Sequence, residues 1–107
     1  MGLTKTQIFD VQQNELATIF KVLAHPARIA ILQYISSQKG CICNDIVDEI
    51  GLAQPTISQH LKELKSIHLI EGEIDGKKVC YCINLIKWKE IQEVFNTFFD
   101  NTKFNCC

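Results

Sequence analysis

The chain has 107 residues, 47% of them hydrophobic and 21% charged, which suits one small globular domain. No apolar run approaches the roughly 18–20 residues that span a bilayer, and Met1 to Gln7 lack the apolar stretch of a secretory signal. The formal net charge of −1 gives no bulk attraction to nucleic acid, so any DNA-binding reading has to rest on motif geometry.

Read in chain order, residues from about Asn14 to Leu23 carry Leu16, Ile19, Phe20 and Leu23 at helical spacing. His25-Pro26 then breaks the pattern, and Pro26 suits the first position of a new helix reaching about Ser36, with Ile31, Leu32 and Ile35 inward. Ser36 to Gly40 reads as a stop and a turn. Cys41-Ile42-Cys43 reads as a short strand, with Cys41 and Cys43 on its apolar positions as small hydrophobes. Asn44 is a good N-cap for a short helix from Asp45 to Ile50, and Gly51 ends it.

Pro55 opens another helix, with Ile57, Leu61 and Leu64 on one face. Leu69 to Ile74 and Lys77 to Ile83 flank Asp75-Gly76, the dipeptide a tight hairpin turn prefers. On the return strand Val79, Tyr81, Ile83 and Leu85 alternate toward the core, which turns Cys80 and Cys82 to the wetter face. Trp88, Ile91, Val94, Phe95, Phe98 and Phe99 then form the apolar stripe of a C-terminal helix, with a flexible tail from about residue 100. The expectation is a mainly α fold with a small β-hairpin wing, in a single domain over residues 1–107. So short a chain buries a modest share of its surface, and a second subunit would cover more.

A short helix, a turn containing Gly51 and a second amphipathic helix make a helix-turn-helix, whose second helix enters the major groove. With Ile57, Leu61 and Leu64 inward, Gln54, Thr56, Ser58, Gln59 and Lys62 face outward. Gln reads adenine in bidentate fashion, Ser and Thr reach bases or phosphates, and Lys62 suits a phosphate. Lys77 and Lys78 at the hairpin tip are placed for a neighbouring phosphate or the minor groove. A solvated helix face and solubilising lysines on an edge hairpin would look the same at this level.

Lys21 to Leu32, Gln54-Pro55-Thr56-Ile57-Ser58-Gln59-His60-Leu61-Lys62-Glu63-Leu64, Leu69-Ile70 and Gly76 to Tyr81 together resemble the ArsR/SmtB family of winged-helix metalloregulatory repressors. The likeness runs from Phe20 to Leu85. It implies a homodimer built from the N- and C-terminal helices, bound to a palindromic operator in double-stranded DNA and released by an inducer. His60 is counted with the DNA-contacting set, and packing or capping at the base of the recognition helix suits it better than metal ligation. Ala53 departs from the pattern, since relatives commonly place a capping serine at that position.

Six cysteines in three tight pairs, Cys41-x-Cys43, Cys80-x-Cys82 and Cys106-Cys107, suit a shared soft ion or local redox chemistry. Thiolates favour Zn²⁺, Cu⁺ and, by the same logic, As(III) or Sb(III), which makes a thiophilic metal or metalloid the candidate inducer. The family's zinc-type site needs histidine on the C-terminal helix, and His25, His60 and His68 all lie earlier. Its arsenic-type site opens the first helix of the motif. Here Cys41-x-Cys43 stands one residue too early, with Asn44 and Val47 where further family cysteines would be. Cys80 and Cys82, and the vicinal pair Cys106-Cys107, remain as ligand candidates beside Cys41 and Cys43. A repressor sensing redox state or sulfide through a reversible disulfide is the alternative. A thiol enzyme or metal carrier has little in its favour, because no Cys-x-x-Cys or Cys–His nucleophile pattern appears.

Overall fold

The computed structural model describes residues 8–43, 46–73 and 80–101, apart from the side chains of Cys43 and Glu73. Helix α1 (Val11–Leu23) begins at a reciprocal capping box. Asp10 accepts the Gln13 backbone N–H at 2.7 Å, and Gln13 Oε1 accepts the Asp10 N–H at 3.0 Å. Helix α2 (Pro26–Ser37) has proline in its first turn and is capped by His25, whose Nδ1 accepts the Ala27 N–H at 3.1 Å.

Strand β1 (Ile42–Cys43) precedes α3 (Ile46–Ile50), which stops at Gly51 with φ at +82°. That left-handed value is the one glycine adopts without steric cost. Helix α4 (Gln54–Ser66) follows, and its N-cap, Ala53, makes no side-chain hydrogen bond. Strands β2 (Ile70–Glu73) and β3 (Cys80–Ile83) form the wing, and α5 (Leu85–Asp100) closes the fold, its Lys87 N–H accepted by Asn84 Oδ1 at 3.2 Å.

The three strands make one antiparallel sheet in the order β1-β3-β2. One face turns inward through Ile42, Ile70 and Tyr81. They join Ile31, Ile35, Ile57, Leu61, Leu64 and Leu69 in a core that α1, α2, α4 and the sheet share. Burial of this kind is worth roughly 25 cal/mol per Å² of apolar surface, and it fixes which face of α4 stays outside.

Two expectations are corrected. Cys41 is exposed and not a buried strand residue, because Ile42 takes the inward position opposite Tyr81. Leu85 does not extend the core-facing alternation of β3: Asn84 caps a helix there, and Leu85 opens its first turn at 67% exposure. Among the described residues, no helix is long and apolar enough to cross a membrane.

Candidate nucleic-acid interface and cysteine face

Helix α4 separates its faces sharply. Ile57, Leu61 and Leu64 are at most 1% exposed, while Gln54, Thr56, Gln59 and Lys62 lie at the surface and Ser58 is half-buried beside them. Two i,i+4 contacts organise the outer face: Gln54 Nε2 donates to Ser58 Oγ at 3.1 Å, and Gln59 Nε2 donates to Glu63 Oε1 at 3.3 Å. Both amides are thus held along the helix and keep donor and acceptor atoms that a base edge can engage.

His60 sits apart from that face. It is 8% exposed, and its Nδ1 accepts the Arg28 Nε–H at 3.1 Å. Arg28 also donates to the Val22 carbonyl at 3.0 Å, and the His25 ring lies 4.4 Å from that of His60. The end of α1, the start of α2 and the middle of α4 are tied at one point. Burial, then the neighbouring His25 and Arg28, push His60 below the usual histidine range and keep it neutral, so that Nδ1 can accept. The arginine was not picked out from sequence, since the partners are far apart along the chain.

The wing is held against α4 by Lys65, whose Nζ donates to the Gly72 carbonyl at 2.7 Å. Gly72 has φ at +132°, and a Cβ there would collide with the Cys80 carbonyl oxygen and lie 2.8 Å from Tyr81 Cα. Only glycine fits this approach of β2 to β3. Lys77 and Lys78 lie outside the described residues, as do the Asp75-Gly76 turn and the pair Cys106-Cys107.

On the outer face of the sheet the strand pairing brings together two of the sequence's cysteine pairs. Ile42 opposes Tyr81 and Cys43 opposes Cys80, so Cys41 meets Cys82 one step further along. A hydrogen bond between the Cys82 and Cys41 thiols, with burial and the Glu71 charge, pushes the Cys82 thiol up to about 11. Glu71 opposes Cys82 from β2. Cys80 is half-buried and disulfide-bonded. Among the described residues, no group of three or more His, Cys, Asp or Glu side chains is arranged to hold a metal ion.

Comparison with known proteins agrees with this geometry. The profile of a helix-turn-helix domain matches residues 23–73. An arsenical resistance operon repressor of Staphylococcus xylosus is 39% identical over 71 residues, covering 66% of this chain and 67% of that protein. The HTH-type transcriptional repressor SmtB of Mycobacterium tuberculosis is 38% identical over 63 residues, covering 59% of this chain and 46% of its own length. Among solved structures, M. tuberculosis Rv0081 superposes with a TM-score of 0.64 at 26% identity, over 86% of this chain and 92% of that one.

Proposed function

The chain belongs to the ArsR/SmtB family of winged-helix transcriptional repressors, and from that premise we propose that it binds a palindromic operator as a homodimer and leaves it when a thiophilic metal or metalloid, arsenite first among them, ligates its cysteines. The observation that carries the DNA reading is the division of α4. Its buried side is fixed in the core, and its outer side offers Gln54, Thr56, Gln59 and Lys62 at the surface. Thr56 and Gln59 read base edges near the start of the helix, Gln54 and Ser58 support them, and Lys62 neutralises a phosphate. Lys77 and Lys78 act as a second phosphate contact from the wing. His60 acts through Arg28 as a positioning residue that sets the angle of α4 on the body.

Dimerisation is supported by exposed apolar side chains on the outer helices. Phe98 and Phe99 of α5 are 51% and 62% exposed, and Phe20 of α1 stacks on Phe95 at 4.7 Å beside them. A second copy covering this surface has to set two α4 helices roughly 34–36 Å apart, one turn of B-DNA, to meet successive major grooves. The inducer reading is supported by the cysteine pairs and by the name that the staphylococcal relative carries. A coupling of about 1–3 kcal/mol between inducer and operator sites is enough for a 5- to 150-fold loss of DNA affinity.

Fluorescence anisotropy tests this on fully reduced protein with labelled DNA from upstream of its own coding sequence. Arsenite at stoichiometric levels is expected to lower the anisotropy. DNA binding that ignores arsenite and is abolished only by oxidant contradicts the metalloid reading.

A further inference from the structure

We propose that, once the Cys80 disulfide is reduced, Cys41, Cys80 and Cys82 form a pyramidal three-thiol site for As(III) on the outer face of the sheet. The proposal rests on the inducer reading above and says where on the fold the inducer sits. The family's arsenic-type site lies at the opening of the first helix of the motif, which the register of Cys41-x-Cys43 misses by one residue.

The strand pairing is the first argument. Ile42 and Tyr81 face the core, so the alternation of both strands turns Cys41, Cys80 and Cys82 outward. Directly opposed antiparallel residues have Cα atoms about 4.5–5.5 Å apart, and alternate residues of one strand about 7 Å. The Cys41 and Cys82 thiols already meet. Cys80 stands on the same face, two residues before Cys82 along β3, and its sulfur is freed to join them only when its disulfide opens. Cys43 takes the register position opposite Cys80.

The second argument is that all the donors lie on one side. Three thiols rising from a sheet can cap an ion from below and leave its upper hemisphere open. Tetrahedral Zn²⁺ is poorly served by such a set. As(III) in three-thiolate coordination is pyramidal, with its lone pair opposite the sulfurs, and fits a one-sided site.

Proton balance also favours arsenite. Arsenous acid condenses with three thiols: three As–S bonds form, three As–O bonds break, and the thiol protons leave with the hydroxides as three waters. No electrons move and no net proton is released. A divalent cation needs thiolates and has to expel those protons. Opening the disulfide first takes two electrons and two protons. A phosphine supplies the electrons, and with water it leaves as its oxide.

An ion at this place is also close to the reading head. Strand β1 runs into α3, the first helix of the DNA-binding motif, and β3 is the inner strand of the wing. Bridging Cys41 to β3 couples the wing to α3, the kind of strand shift that can move α4 against DNA.

Native mass spectrometry of the phosphine-reduced full-length chain with arsenite tests the proposal, with X-ray absorption to count sulfur neighbours. The wild type is expected to gain one arsenic and lose three protons per chain. Cys106→Ser/Cys107→Ser and Cys43→Ser are expected to keep that gain. Cys41→Ser/Cys82→Ser is expected to bind at least tenfold more weakly while holding DNA as the wild type does, which shows that it folds. If arsenite frees wild-type DNA and frees the Cys41→Ser/Cys82→Ser variant equally, this site is wrong and the inducer reading stands. If Cys43→Ser or the tail variant loses the arsenic, the assignment of ligands is overturned. If the wild type neither binds arsenite nor releases DNA, the inducer reading falls and takes the site with it.

Discussion

Arg28 donates from Nε to His60 Nδ1 at 3.1 Å, joining the first turn of α2 to the middle of the recognition helix. The bond requires an unprotonated Nδ1, and the surroundings of His60 hold its pKa below the ordinary value near 6.5. Above that value folded and unfolded chains are both neutral at this residue, and its contribution to stability is complete. As the pH falls below it, the unfolded chain takes up the proton first, and stability is lost until the folded pKa is passed. The slope from this residue is at most about 1.4 kcal/mol per pH unit. Urea unfolding at pH 7.5 and pH 5.5 should show a drop in the wild type that is smaller in His60→Gln. An equal drop in both would show that His60 has no part in it.

Ala53 starts α4 without a side-chain cap. Ala53→Ser restores an acceptor for the free N–H groups of the first turn and should stabilise the protein by about 1 kcal/mol. For a domain of this size that is roughly 4–8 °C in Tm at fixed protein concentration. Calorimetry that finds no rise would mean that the first turn of α4 is satisfied in some other way.

Gly72 lets β2 and β3 close on each other where a Cβ would strike the Cys80 carbonyl. Gly72→Ala should cost about 1–3 kcal/mol through backbone strain and displacement of the wing. Chemical denaturation gives the cost, and DNA affinity should fall with it. An unchanged denaturation midpoint would mean that the strands part there easily.

Phe98 and Phe99 stand half or more exposed on α5, in edge contact at 5.2 Å. A charge in the centre of a subunit interface is strongly unfavourable, so Phe98→Glu should shift the protein toward monomer. Light scattering after size exclusion measures this directly. A dimer that persists unchanged places the interface elsewhere.

Much of this fold is legible in the sequence because its signals are local. Pro26 and Pro55 mark helix starts, Gly51 a helix stop, and the spacing of Ile57, Leu61 and Leu64 orients α4 before any contact is known. The Asp10-x-x-Gln13 box and the Asn84 cap are equally local signals, and they start α1 at Val11 and α5 at Leu85, earlier than apolar spacing alone suggests. The cysteine face was not legible. The two residues of β1 cannot show which side is inward until β3 pairs with them, and that partner lies far along the chain. The same distance hid the bond between Arg28 and His60.

The most direct test of the central claim is binding of the reduced protein to its own upstream DNA, measured against scrambled DNA of equal length in near-physiological salt. Specific binding in the range of about 10⁻⁸–10⁻¹¹ M is expected. Gln59→Ala should weaken it by about 1–3 kcal/mol and relax base preference at one position, and Lys62→Ala should weaken all sequences alike and reduce the salt dependence. Equal affinity for both DNAs, unaltered by either substitution, would contradict the assignment of α4 as the reading helix.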